Sequence, residues 1–462
     1  MQSYKINDNY SKDKLENLGE TIENFQIICT FGIEMQKRDL QIFNIALPAI
    51  VTNITVPLLG LVDTGIVGHM GSAVYIAAIA VGSMVFNLVY WVFGFLRMGT
   101  SGLTAQARGR RDNNEIARLL MCSFLVAFVI ALIILLLQCP LREGMFWLMS
   151  PTDDVRPVAI IYYNIVVWGA PAMLGLYALC GWFLGMQNTW LPMVISISQN
   201  VINILVSLLL VYGWGMKVEG VALGTVVAQY AGFAVGIFLL FRYFRRYVVI
   251  SWCPLKELIP FLSVNKDIFL RTLCLVAVNL YFTSVGARQG ATILAVNALL
   301  MQLFLLFSYV MDAFAYAGAA LGGRYWGAQN GTAFREVVQR LFVWGAVMTV
   351  AFTALYVLGG LPFLQLLTDQ KEVVVAAQSF VWWAYLIPVA GVAAFIWDGI
   401  FIGITQTRGM LLSAVVAAGI FFLTILFLTP YWGNHALWLA MLLFLLFRGL
   451  IQSAFYYLKC GM

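Results

Sequence analysis

Charge is scarce in this 462-residue chain: Asp, Glu, Lys and Arg together make up 10% of it, against roughly a quarter in soluble globular domains. With 62% hydrophobic residues and a mean hydropathy of +0.88, the chain lacks the polar surface a water-soluble fold needs. Soluble enzymes and nucleic-acid binders are thereby excluded. The seven cysteines are odd in number and scattered, with no CxxC pair and no histidine cluster nearby, so neither a disulfide framework nor a metal site is expected. No run alternates with period two, which removes a β-barrel and leaves helices as the way to satisfy the backbone in lipid. Nothing matches HExxH, GxSxG, GxxxxGK[ST] or a selectivity-filter loop. No catalytic residue and no cofactor are therefore expected, and any pumping must draw on an ion gradient.

What the chain has instead is long apolar runs, about twelve of which reach the roughly 20 residues that cross a bilayer. They fall near 40–66, 74–100, 117–138, 157–184, 190–213, 219–241, 267–288, 292–318, 337–358, 373–403, 409–429 and 435–458. The expectation is an all-α polytopic membrane protein. Residues 1–34 differ, carrying six acids against three lysines and no long apolar run. They read as a polar extension ahead of a native start at Met35, or as a short cytoplasmic tail.

Seventeen Lys and Arg, among them Lys37, Arg108, Arg242, Lys256, Arg271 and Lys459, fall on one side of this ladder, and five, Arg142, Arg156, Lys217, Arg288 and Lys371, on the other. The positive-inside bias then puts both termini in the cytoplasm, and the net charge of +6 reports topology rather than a nucleic-acid partner.

The chain also repeats itself. A shift of 218 residues aligns Gly109 with Gly327, Gly181 with Gly399, Gly185 with Gly403, Thr189 with Thr407 and Trp214-Gly215 with Trp432-Gly433. The organisation expected is an N-lobe over 35–241, a basic linker over 242–266 and a C-lobe over 267–462, six helices in each lobe. Six is even, so the lobes are related by a pseudo-two-fold axis along the membrane normal, an architecture for alternating access.

Ionisable groups inside the spans cost about 2.5–3.5 kcal/mol each at the bilayer centre and so need a reason. Those assigned to the spans are Asp63, Arg97, Asp312, Asp398 and Arg448. Asp63 follows Pro48 and Pro57, which break the first helix's hydrogen-bond ladder and let it bend. Asn200, Asn203 and Ser207 share one face of the fifth helix, and Thr225 lies on the sixth. Asp312 and Asp398 form a possible second ion or substrate site, and Tyr162 and Tyr163 of the fourth helix are candidates for the cavity wall.

The stretches LPAIVTNITVPLLGLVDTGIVGHMGSAVYIAAIAVG (47–82), FLRMGTSGLTAQARG (95–109), GVALGTVVAQY (220–230), MDAFAYAGAALGGRYWGAQNG (311–331) and WDGIFIGITQTRGM (397–410) resemble the multidrug and toxic compound extrusion (MATE) transporters, in their DinF-like branch. The resemblance implies export of small organic cations or amphipathic drugs across the bacterial inner membrane in exchange for H⁺ or Na⁺, by a protein expected to act as a monomer among membrane lipids. It implies a coupling site at Asp63 with Asn203 and Thr225, and helix bending at Pro48. Ser207 stands where many relatives place a second carboxylate, which favours H⁺ over Na⁺. The alternatives weighed are a major-facilitator exchanger, whose basic loop normally carries an Asp-Arg pair missing from ARGRRD, a lipid-linked saccharide flippase and, from another class, a channel.

Overall fold

The computed structural model describes residues 37–68, 72–248, 253, 255–368 and 370–459; the side chains of 56–64, 67, 68, 255, 257 and 459 lie outside the described set. Every regular element among these residues is helical. The first long helix, α1, is Lys37–Gly68. Eleven more are long and apolar enough to cross a bilayer: α2 (Ala73–Arg110), α3 (Asn113–Leu136), α4 (Val155–Gly185), α5 (Trp190–Gly213), α6 (Val218–Tyr247), α7 (Leu258–Arg288), α8 (Ala291–Gly327), α9 (Gly331–Leu367), α10 (Val381–Gly403), α11 (Thr407–Trp432) and α12 (Asn434–Leu458). The chain is thus an all-α, multi-pass membrane protein.

The repeat expected from sequence recurs in the backbone. Among the described residues, left-handed conformations occur at Arg111 and Gln329, at Gln187 and Thr405, and at Gly215 and Gly433, each pair 218 positions apart. Asp112 caps α3 by accepting from the Glu115 amide, and Asn330, its counterpart, caps α9 by accepting from the Ala333 amide. The loops at 111–112 and 329–330 share one design: a left-handed residue ends one helix and a side-chain oxygen starts the next.

Packing within each lobe repeats as well. A Cβ on Gly181 would collide with the Arg97 carbonyl oxygen where α4 crosses α2, and one on Gly399 would collide with the Ala315 carbonyl oxygen where α10 crosses α8. Between lobes the contacts are reciprocal: Gly109 lies against the Arg324 carbonyl and Gly327 against the Gln106 carbonyl. Positions 106 and 324, like 109 and 327, are repeat equivalents, so each lobe offers the other the same patch, as two-fold symmetry requires. Side chains follow suit: Gln106 Nε2 donates to Thr405 Oγ1 (3.0 Å) and to the Gly403 carbonyl (2.8 Å), while Arg324 donates to Gln187 Oε1 (2.9 Å).

Three expectations need correction. The helix of the seventh span begins at Leu255, inside the segment read as linker, and runs on through Pro260. Arg271, read as a cytoplasmic charge, is buried in α7. Cys122 and Cys253, 131 residues apart in sequence, form a disulfide that ties α3 to the segment joining the lobes. Such a separation leaves no spacing signal, which is why the cysteine pattern looked unpaired.

Candidate functional site

The N-lobe polar cluster sits where α5 and α6 pack together. Gly224 has no side chain, so α6 closes directly on Ser207 of α5. One turn earlier, Asn203 Nδ2 donates to Thr225 Oγ1 at 3.2 Å, and that hydroxyl is anchored to the Val221 carbonyl at 3.1 Å. Asn203 Oδ1 and Ser207 Oγ are buried without a hydrogen-bond partner among the described residues. Unpartnered buried polar atoms each cost about 1–3 kcal/mol, so this cluster has hydrogen-bonding capacity that the described residues leave unused. Asn200 Nδ2 reaches the Thr55 carbonyl at 3.2 Å and ties α5 to α1 two turns before Asp63. The side chains of Asp63 and Pro57 lie outside the described residues.

Pro48 is buried in α1. Its ring nitrogen cannot bond the Asn44 carbonyl, and Thr189 Oγ1, at the start of α5, donates to that carbonyl instead (3.2 Å). The gap in the α1 ladder is therefore filled by α5. Tyr162 is buried against Gly82 and shares a 3.3 Å hydrogen bond with Ser83. Tyr163 donates to the Gln138 carbonyl (3.1 Å) and stacks on Phe86, so both tyrosines join α4 to neighbouring helices.

A second polar cluster lies in the C-lobe and reaches the lobe interface. Asp398 of α10 is ion-paired with Arg271 of α7 and Arg448 of α12, and accepts from Gln452 Nε2 at 2.7 Å. Arg97 of α2 donates across the interface to the Tyr316 hydroxyl of α8 and also lies over that ring, 4.9 Å from its centroid. Asp312 sits one turn before Tyr316, half-buried. A cavity of about 30 Å³ lies between them, lined by Arg97, Ser101, Arg271, Asp312, Tyr316 and Asp398 among others.

The MatE family model matches residues 48–209 and again 268–428, once per lobe and in nearly the same register as the internal repeat. The chain belongs to the MatE family. It is 38% identical over 421 residues to the DNA damage-inducible protein F of Escherichia coli (strain K12), covering 90% of this chain and 91% of that protein. It is also 24% identical to a probable multidrug resistance protein NorM of Idiomarina loihiensis, over 82% of this chain and 83% of that one. Among solved structures, a MATE transporter in its bent conformation superposes with a TM-score of 0.81 at 18% identity, covering 92% of this chain and 96% of that one. A MATE transporter of Vibrio cholerae superposes with the same TM-score at 16% identity, over 91% and 98%. Both likenesses bear on the fold.

As a MatE protein the chain is a membrane transporter and not an enzyme. Its two polar clusters are not copies of one another. The positions equivalent to Asp63, Asn203 and Thr225 are Tyr281, Phe421 and Leu443, and those equivalent to Arg271, Asp398 and Arg448 are Asn53, Cys180 and Tyr230. The MatE duplication kept the scaffold and specialised each lobe. Sequence reading brought Asn203 to Thr225, but it missed Arg271, Gln452, Tyr316 and Thr189. Arg271 carried one usable signal: it stands four residues inside the seventh span as placed from hydropathy.

Proposed function

We propose that the chain is a secondary active exporter that antiports cationic or amphipathic compounds against H⁺ by alternating access, in the bacterial inner membrane with both termini cytoplasmic. The observation that carries this reading is the buried N-lobe cluster, in which Asn203 is held by Thr225 while Asn203 Oδ1 and Ser207 Oγ lack partners among the described residues. In this reading Asp63 is the proton carrier. A carboxylate at a partly apolar wall is disfavoured unless donors reach it, so protonation and the bend of α1 are coupled, and a proton that binds one conformation more tightly than the other shifts the equilibrium between them. Ser207 in place of a second carboxylate supports H⁺ over Na⁺, since a dehydrated Na⁺ needs more anionic charge than one aspartate supplies. Asn200 and Thr189 hold α5 to α1, so a change at Asp63 is transmitted to the lobe.

The test is uptake of a fluorescent organic cation into everted vesicles under an imposed pH gradient or an imposed Na⁺ gradient. Wild type should respond to the pH gradient, and Asp63→Asn, which keeps the shape and removes the titration, should insert normally and lose that response. Full transport by Asp63→Asn would sink the assignment. A response to Na⁺ alone would replace H⁺ as the coupling ion.

A further inference from the structure

The cavity between the lobes has a charge that proton transfer cannot reverse. Three guanidiniums, from Arg97, Arg271 and Arg448, stand against the carboxyls of Asp312 and Asp398. Arginine stays protonated at any physiological pH, so with both aspartates ionised the cluster carries one net positive charge, and protonating either one adds to it. Asp267, one turn before Arg271, accepts from Thr407 and is not among the cavity's described lining residues. The cavity is thus unsuited to a cation.

The polar atoms agree with the charge count. Asp398 is fully engaged by Arg271, Arg448 and Gln452, whereas Asp312 has no hydrogen bond or ion pair among the described residues. The Nε atoms of Arg97, Arg271 and Arg448 are buried with no acceptor among the described residues. An unbalanced buried charge costs several kcal/mol, and the space of about 30 Å³ beside Arg97 and Arg271 has room for one small group that would balance it. The walls come from α2 and α4 of one lobe and α7, α8 and α10 of the other, so an occupant is enclosed only while the lobes meet here.

We propose that this inter-lobe cavity binds a single anionic group, held by Arg97 and Arg271, and that the preferred exported compounds are amphipaths carrying a carboxylate. The same chemistry would be met by a free halide ion. The substrate statement rests on the exporter reading above. Equilibrium binding to purified full-length protein needs no ion gradient, so it fails or succeeds independently of coupling at Asp63.

The probes are rhodamine B, which carries a free carboxylate, and its ethyl ester, which differs in lacking that charge; binding is read by fluorescence anisotropy. Wild type should bind the acid at least about tenfold more tightly than the ester, the scale of one hydrogen bond to a charged group. Arg97→Gln should remove the preference and Arg97→Lys should retain most of it, with both variants eluting as wild type on size exclusion. Chloride added against sulfate at fixed ionic strength separates the sources. If chloride weakens binding of the acid but not the ester, the site also accepts a free halide; if chloride has no effect, the substrate carboxylate is the occupant. Equal binding of acid and ester would overturn the proposal, as would an acid preference untouched by Arg97→Gln. If neither dye binds, chloride-dependent thermal stabilisation that is lost in Arg97→Gln supports the site, and its absence from wild type overturns it.

Discussion

Gly109 lies against the carbonyl oxygen of Arg324 so closely that a Cβ would overlap it, and the repeat returns the contact with Gly327 against Gln106. The lobes therefore touch by backbone at two symmetry-related points. Leucine at either glycine must push the lobes apart, and because the contacts are equivalent, Gly109→Leu and Gly327→Leu should do so to a similar degree. Spin labels at 113 and 331, the repeat-related first residues of α3 and α9, should report longer distances in both variants by pulsed electron resonance. Transport should fall in both. A distance distribution unchanged from wild type would show that these glycines do not set the approach of the lobes.

The bond from Thr189 to the Asn44 carbonyl compensates for the amide that Pro48 lacks. Thr189→Val keeps the shape and removes the donor, at a cost of about 1–3 kcal/mol to the conformation in which this bond is made. If bending at Pro48 belongs to the transport cycle, that shift should lower gradient-driven export several-fold, whereas Thr189→Ser should export as wild type does. Equal rates for all three proteins would mean that the Thr189 bond does not restrain α1 during transport.

The scaffold was legible in the sequence because bilayer thickness sets a length for each apolar run and duplication sets a constant offset between them. The reciprocal glycine contacts and the paired loop caps are the same offset expressed in three dimensions. Polar partnerships were less legible. Asn203 and Thr225 stand on either side of the turn joining the consecutive helices α5 and α6, so counting turns brings them close, but Asp398 draws its partners from α7 and α12, 127 and 50 residues away. Arg271 was assigned to the cytoplasmic side because loop charges are counted without knowing how far a helix carries each one inward. Cys122 and Cys253 gave no sign, since two isolated cysteines acquire a relationship only when the chain between them folds.

That disulfide makes a countable prediction. Wild-type protein unfolded without reductant and treated with a maleimide polymer should show two fewer adducts than the same protein reduced first. Cys253→Ser should abolish the difference, because Cys122 then reacts under both conditions. Cys253 also lies in the segment that positive-inside topology puts in the cytoplasm, where disulfides are rare. Protein trapped with acid inside growing cells should therefore show whether the pair is closed there, and full reactivity of every cysteine under both conditions would exclude the bond.

Asp398 offers the largest expected stability effect. Asp398→Ala removes the carboxylate that both Arg271 and Arg448 contact, leaving two buried guanidiniums beside an empty space, and loss of a buried ion-pair partner costs about 3–5 kcal/mol. Detergent-purified Asp398→Ala should unfold at a clearly lower temperature than wild type. The same reasoning gives the control. Replacing all three charges with apolar residues of similar volume, as Arg271→Met, Asp398→Leu and Arg448→Met, removes the desolvation penalty together with the attraction, and such swaps are often neutral or stabilising. The triple variant should therefore recover most of the lost unfolding temperature. If it is no more stable than Asp398→Ala, the network is held by its shape and by the Gln452 bond rather than by charge compensation.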